Sequence, residues 1–151
     1  EVEKINLEEV FDVVKKIKGK NVLIVSNLPS VARRFKSQLN ENAKVIARFE
    51  EIPEMFHNEI ESWKNLSEND IVILIRDEKS ESKEIKKSFE FIKKVVKNYI
   101  EIKSKGKNKL ERILYLIWYV DLVSYYLALE LKVDPLATEM IKKYKEYVYS
   151  D

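Results

Sequence analysis

Residues 70–77 read DIVILIRD, and positions 71–75 carry five apolar side chains in succession. Side chains on a strand alternate between faces, so a run with no polar alternate must be covered on both sides. That pattern belongs to a central strand of a parallel sheet sandwiched between helices. NVLIVS (21–26) repeats it in shorter form, bounded by turn residues. AKVIARF (43–49) reads as a second strand, and IEIKS (100–104) as a fourth.

Helical periodicity fills the intervals. NLEEVFDVVKKIKGK places Leu7, Val10, Phe11, Val14 and Ile17 on one face, with Asn6 as N-cap and Gly19 as the stop. LPSVARRFKSQLN enters a helix through Pro29 and Ser30, and EIPEMFHNEIESW reads as a loop and a short helix. SESKEIKKSFEFIKKVVKNY is amphipathic, and Pro135 opens a last helix, PLATEMIKKYKEYV. Strand and helix alternate, which predicts an α/β fold: a three-layer αβα sandwich with a mostly parallel sheet and long apolar helices near the C-terminus. No repeat or linker divides residues 1–151, so one domain is expected; 1–19 form a leading helix of the kind that joins domains in a longer chain.

The most apolar stretch is 113–131, ILYLIWYVDLVSYYLALEL, with Asp121 near its middle and Glu130 near its end. An ionised group at the bilayer centre is costly, so this reads as a buried helix and no membrane span is expected. Its aromatics, Tyr115, Trp118, Tyr119, Tyr125 and Tyr126, exceed one buried stripe and suggest an interface.

Several chemistries are excluded. Without cysteine there are no disulfides, thiolate metal sites or Cys nucleophiles, and one histidine builds no triad or His-rich metal centre. Two glycines, Gly19 and Gly106, allow neither GxGxxG nor a P-loop. A bound phosphate would need a helix N-terminus and hydroxyls, as in SNLPS, with Ser26 and Ser30. The net charge of +2 is too balanced for a nucleic-acid footprint. KSKGKNK (103–109) and the Lys-rich helix over 83–97, which also carries Glu84 and Glu90, read as solvated faces.

RRFKSQLNENAK, then PEMFHNEIESW, IVILIRDE, and LVSYYLAL followed by VDP occur in this order over about residues 20–147. In that order they resemble the C-terminal half of archaeal-type bifunctional phosphoglucose/phosphomannose isomerases, members of the sugar isomerase (SIS) superfamily. The resemblance implies a cytoplasmic enzyme that isomerises sugar phosphates without metal or cofactor. It also implies a homodimer, or pairing with an N-terminal SIS domain that grips the phosphate. Glu41 matches the catalytic base. His57 matches the ring-opening residue supplied by the neighbouring subunit. Lys145 matches a second ring-opening group, and Thr138 the position associated with accepting both C2 epimers.

The residues themselves bear on this. His57 lies sixteen positions after Glu41, across the second strand. A strand of six or seven residues rises roughly 20 Å, too far for one site within a chain but suited to a two-fold pair. Thr138, Lys142 and Lys145 share a helix face, so Lys142 competes with Lys145 for the active register, counting from Pro135 favouring Lys145. Two further readings stay open: a stand-alone SIS module that binds sugar phosphate or a protein without turnover, and an anionic-surface binder using the lysine-rich segments.

Overall fold

The computed structural model describes residues 4–150. Its elements run α1 (Leu7–Ile17), β1 (Asn21–Ser26), α2 (Pro29–Glu41), β2 (Ala47–Glu51), 3-10 turns over Glu54–His57 and Glu59–Asn65, β3 (Asp70–Arg76), α3 (Lys83–Val95), β4 (Tyr99–Lys103), α4 (Lys109–Glu130) and α5 (Glu139–Tyr149). The four strands are parallel in the order β2-β1-β3-β4.

The unbroken apolar run of β3 explains the layering. Ile71, Ile73 and Ile75 face one core, with Val22 and Ile24 of β1 and the inner faces of α1, α2 and α4. Val72 and Leu74 face the other, with Leu23, Val25, Met55, Trp63 and the Phe89–Ile92 face of α3. The sandwich therefore has three layers, as the alternation predicts. Asn6 caps α1 by accepting from the Glu8 amide, and Gly19 leaves the helix at φ 74°, a conformation glycine adopts without strain.

Two boundaries differ from the sequence reading. The second strand begins at Ala47, not residue 43, because the chain first makes a tight turn. Asn40 Nδ2 donates to the Val45 carbonyl at 2.7 Å, and Lys44 adopts φ 59°. The last helix begins at Glu139, not Pro135. Asp134 captures the intervening segment, its Oδ1 accepting from Leu136 N at 2.8 Å and its carbonyl from Ala137 N.

Helix α4 is long and apolar enough to cross a membrane. Here one face, including Tyr115, Tyr119, Val123 and Leu127, is buried against α1 and α2. The opposite face leaves Leu110, Leu114, Trp118, Tyr125 and Leu129 exposed. The basic 103–109 loop is tied down: Lys103 pairs with Glu78 at 2.8 Å, Lys105 with Glu9 at 3.6 Å, and the Gly106 carbonyl accepts from Lys79.

Candidate active site

Helix α2 runs back along the sheet from the C-terminal ends of the strands, so its last residue, Glu41, lies at their N-terminal edge. The motif LNENAK builds the turn that holds it. Leu39 and Ala43 are buried in the core. Asn40 fixes the far side of the turn through Val45, and Asn42 reaches across to α4, Nδ2 donating to Ser124 Oγ at 2.9 Å and to Gln38 Oε1 at 3.0 Å. Ser124 in turn donates to the Asp121 carbonyl. The Glu41 carboxylate is left exposed, with no cation within ion-pair distance among the described residues.

Glu41 lines two neighbouring cavities. One, about 600 Å³, follows the outer face of α2 past Gln38, Arg34, Arg33 and Ser30 to Glu51. The other, about 590 Å³, lies between the α2 end and the start of α5 and includes Lys44, Asp134, Thr138 and Met140. Both are large enough for a small ligand. The structure thus brings Glu41 together with Ser30 on one side and with half-buried Thr138 on the other. Arg34 is committed to Asp121 through two hydrogen bonds of 2.9 and 2.6 Å, whereas Arg33 stacks over Phe49 at 5.7 Å.

The remaining candidates lie elsewhere. His57 ends the first 3-10 turn, exposed, beyond the end of β2. Since Glu51 pairs with Ser26 at the C-terminal edge, β2 carries the chain across the whole sheet between Glu41 and His57. The two residues share neither cavity. Lys145 and Lys142 are exposed on α5, a helix with no buried residue, and line neither cavity.

Ser26 is fully buried. Its hydroxyl donates to the Ile75 carbonyl at 2.8 Å and accepts from Leu28 N at 2.8 Å, so it locks the turn and is not presented to a ligand. In doubly wound sheets the usual ligand crevice opens beyond the strand ends where the winding reverses, here between β1 and β3. This crevice is filled. Asn27 exchanges two hydrogen bonds with the Asp77 backbone, at 3.1 and 3.3 Å. The buried Asp77 carboxylate accepts from Arg112 Nε at 2.6 Å, from Ser104 Oγ at 2.8 Å and from Ser80 Oγ. Burial alone would raise the Asp77 pKa, but the bonds from Arg112, Ser80 and Ser104 outweigh it and hold the carboxyl below its ordinary range.

Among the described residues no group of three or more His, Asp or Glu side chains is placed to hold a metal ion. Sequence reasoning missed Asn40, Asn42 and Lys44 as builders of the site, and the Asp77–Arg112 plug. The Asn-rich LNENAK turn was itself the available signal for the first three.

Comparison with known proteins agrees with this architecture. The family described as bacterial phospho-glucose isomerase C-terminal SIS domain matches residues 9–148. The bifunctional phosphoglucose/phosphomannose isomerase of Aquifex aeolicus is 34% identical over 93% of this chain and 49% of its own. The enzyme of that name from Thermoplasma acidophilum is 31% identical over 79% of this chain and 38% of its own. The chain thus spans half or less of the length of these relatives. A glucose-6-phosphate isomerase like protein from Thermus thermophilus superposes with a TM-score of 0.68 at 18% identity, over 91% of this chain and 46% of that one, a likeness of fold.

Proposed function

Because the chain belongs to the bacterial phospho-glucose isomerase C-terminal SIS domain family, we propose that it supplies the catalytic base of a sugar-phosphate isomerase. The substrates are glucose 6-phosphate and mannose 6-phosphate, and the product is fructose 6-phosphate. The observation that carries this reading is the placement of Glu41: exposed, without an ion-pair partner among the described residues, on a turn fixed by two asparagines, and shared by two cavities.

The chemistry needs one base and no metal. The Glu41 carboxylate takes the proton from C2 of the open-chain aldose while O1 gains a proton from water, giving a cis-enediol. Glu41 then returns its proton to C1 as the O2 hydroxyl gives its proton back to water and becomes the ketone. A positioned carboxylate contributes roughly 10²–10⁴-fold to such a transfer. Thr138, across the second cavity from Glu41, is suited to a sugar hydroxyl, and Ser30 offers a hydroxyl in the first. Lys145 opens the sugar ring from α5. His57 serves the same step from a neighbouring chain, a reading supported by its place at the opposite sheet edge from Glu41. The assembly is then a dimer or a pairing with an N-terminal SIS domain, and the exposed stripe of α4 is available for that contact. The setting is the cytoplasm, since charged sugar phosphates do not cross membranes unaided.

A second reading, a stand-alone SIS module that binds a partner protein without turnover, is favoured by one observation: the filled crevice between β1 and β3 leaves no phosphate grip there. A coupled assay for fructose 6-phosphate separates the two. Turnover of both aldose phosphates that falls roughly 10²–10⁴-fold in Glu41→Gln supports the base assignment. Equal rates in the variant would refute it. No turnover and no binding of fructose 6-phosphate by the chain would favour the second reading.

A further inference from the structure

The geometry points to Lys44 as a positioning residue that holds Glu41 and Thr138 in fixed relation. Lys44 sits at φ 59°, in the left-handed region that β-carbon-bearing residues rarely adopt. Such conformations persist where surrounding contacts enforce them, and they concentrate at functional sites. Here the contacts are two. Lys44 Nζ donates to the Glu41 carbonyl at 2.6 Å and to the Ala137 carbonyl at 2.7 Å.

The first acceptor is an orphan carbonyl at the C-terminus of α2, where the helix dipole favours a cation. The second belongs to the residue before Thr138 and lies 93 positions away in the chain. No other hydrogen bond among the described residues reaches 134–150 from outside that segment. Helix α5 buries no side chain, and Thr138 makes no capping bond to it. Packing therefore does little to set where α5 stands relative to Glu41. The Lys44 ammonium does, and it lines the cavity that Glu41 and Thr138 share. Its catalytic meaning rests on the assignment of Glu41 as base; the link itself does not.

Three variants test this. Lys44→Gly accepts the left-handed backbone but lacks the ammonium, Lys44→Met lacks both, and Lys44→Arg keeps a cation able to donate to two carbonyls. The first readout is backbone ¹⁵N order parameters of Leu136, Ala137 and Thr138. These are expected to fall from about 0.85 to below about 0.6 in Lys44→Met and Lys44→Gly, and to be retained in Lys44→Arg. The second readout is fructose 6-phosphate formation. In Lys44→Met and Lys44→Gly kcat is expected to fall roughly 10²-fold, with a smaller change in KM, and Lys44→Arg is expected to restore it. Unchanged order parameters in Lys44→Met overturn the proposal, as does full recovery of both readouts in Lys44→Gly. Should the unaltered chain turn over no substrate without an N-terminal SIS domain, the order parameters still decide whether Lys44 links α2 to α5.

Discussion

Replacing Arg112 by methionine tests the energetics of the plug between β1 and β3. Arg112 is 7% exposed and donates two hydrogen bonds to Asp77, which is fully buried. Methionine fills much of the same volume but leaves the Asp77 carboxylate inside with only Ser104 and Ser80 as donors. Removing one partner of a buried ion pair costs about 3–5 kcal/mol, since the other charge stays buried and uncompensated. The two serine bonds place the expected loss at the lower end. That is a large share of the roughly 5–15 kcal/mol by which such a domain is stable. At about 2–4 °C per kcal/mol for a chain of this size, Tm should drop by roughly 6–12 °C. Urea unfolding followed by tryptophan fluorescence and circular dichroism gives the free energy, with the denaturant slope unchanged. The double variant Asp77→Leu with Arg112→Met leaves no charge behind and keeps the Asn27 bonds, which go to the Asp77 backbone. It should be more stable than Arg112→Met alone. A loss below about 1 kcal/mol in Arg112→Met, or a double variant as unstable as the sum of the singles, would refute the reasoning.

Acid unfolding should show the same pair. The Asp77 pKa is lowered in the folded protein, so its contribution is present above the unfolded value of about 3.9 and is lost as pH falls through the folded one. In Arg112→Met burial becomes the main influence, the folded pKa rises, and the stability difference between the two proteins should widen as pH rises from below the unfolded value of about 3.9 to above it. Gly106→Ala should cost about 1–3 kcal/mol, because a β-carbon there would meet Glu111 Cβ at 2.8 Å and Arg112 N at 2.9 Å. Gly19→Ala, at φ 74° with nothing within 4 Å, should lose only about 1–2 kcal/mol from backbone strain; paired thermal melts rank them. Asn42→Ala removes the bridge to Ser124 and should cost roughly 0.5–1.5 kcal/mol, while reducing isomerase turnover more than stability alone explains.

The fold was legible where periodicity is unambiguous. The apolar run of β3 and the alternation of elements announce a covered parallel sheet, and Asn6 and Gly19 bound α1 as their chemistry suggests. The errors came where a side chain overrides propensity. Val45 and Ile46 look like strand, but Asn40 captures the Val45 carbonyl and postpones pairing to Ala47. Pro135 looks like a helix start, but Asp134 turns the chain first. Glu41 is a candidate through its motif and not through its chemistry, since an exposed glutamate at a helix end is commonplace. Its separation from His57 follows from the parallel crossover alone. The plug was invisible because Asn27, Asp77 and Arg112 meet across 50 and 35 residues of sequence. Nothing local in SNLPS warns that Ser26 is consumed by its own turn.

The filled crevice has a consequence for how such a domain could change over generations. A pocket lined by neutral side chains can be enlarged or reshaped one substitution at a time. The crevice between β1 and β3 cannot, because altering either Asp77 or Arg112 first strands the other as a buried charge. Reopening it requires two coordinated changes through a destabilised intermediate, a path that selection on stability closes. New ligand specificity in this lineage is therefore expected to arise around Glu41 and α5, where the side chains are exposed and single replacements are tolerated, while the β1–β3 edge stays as it is.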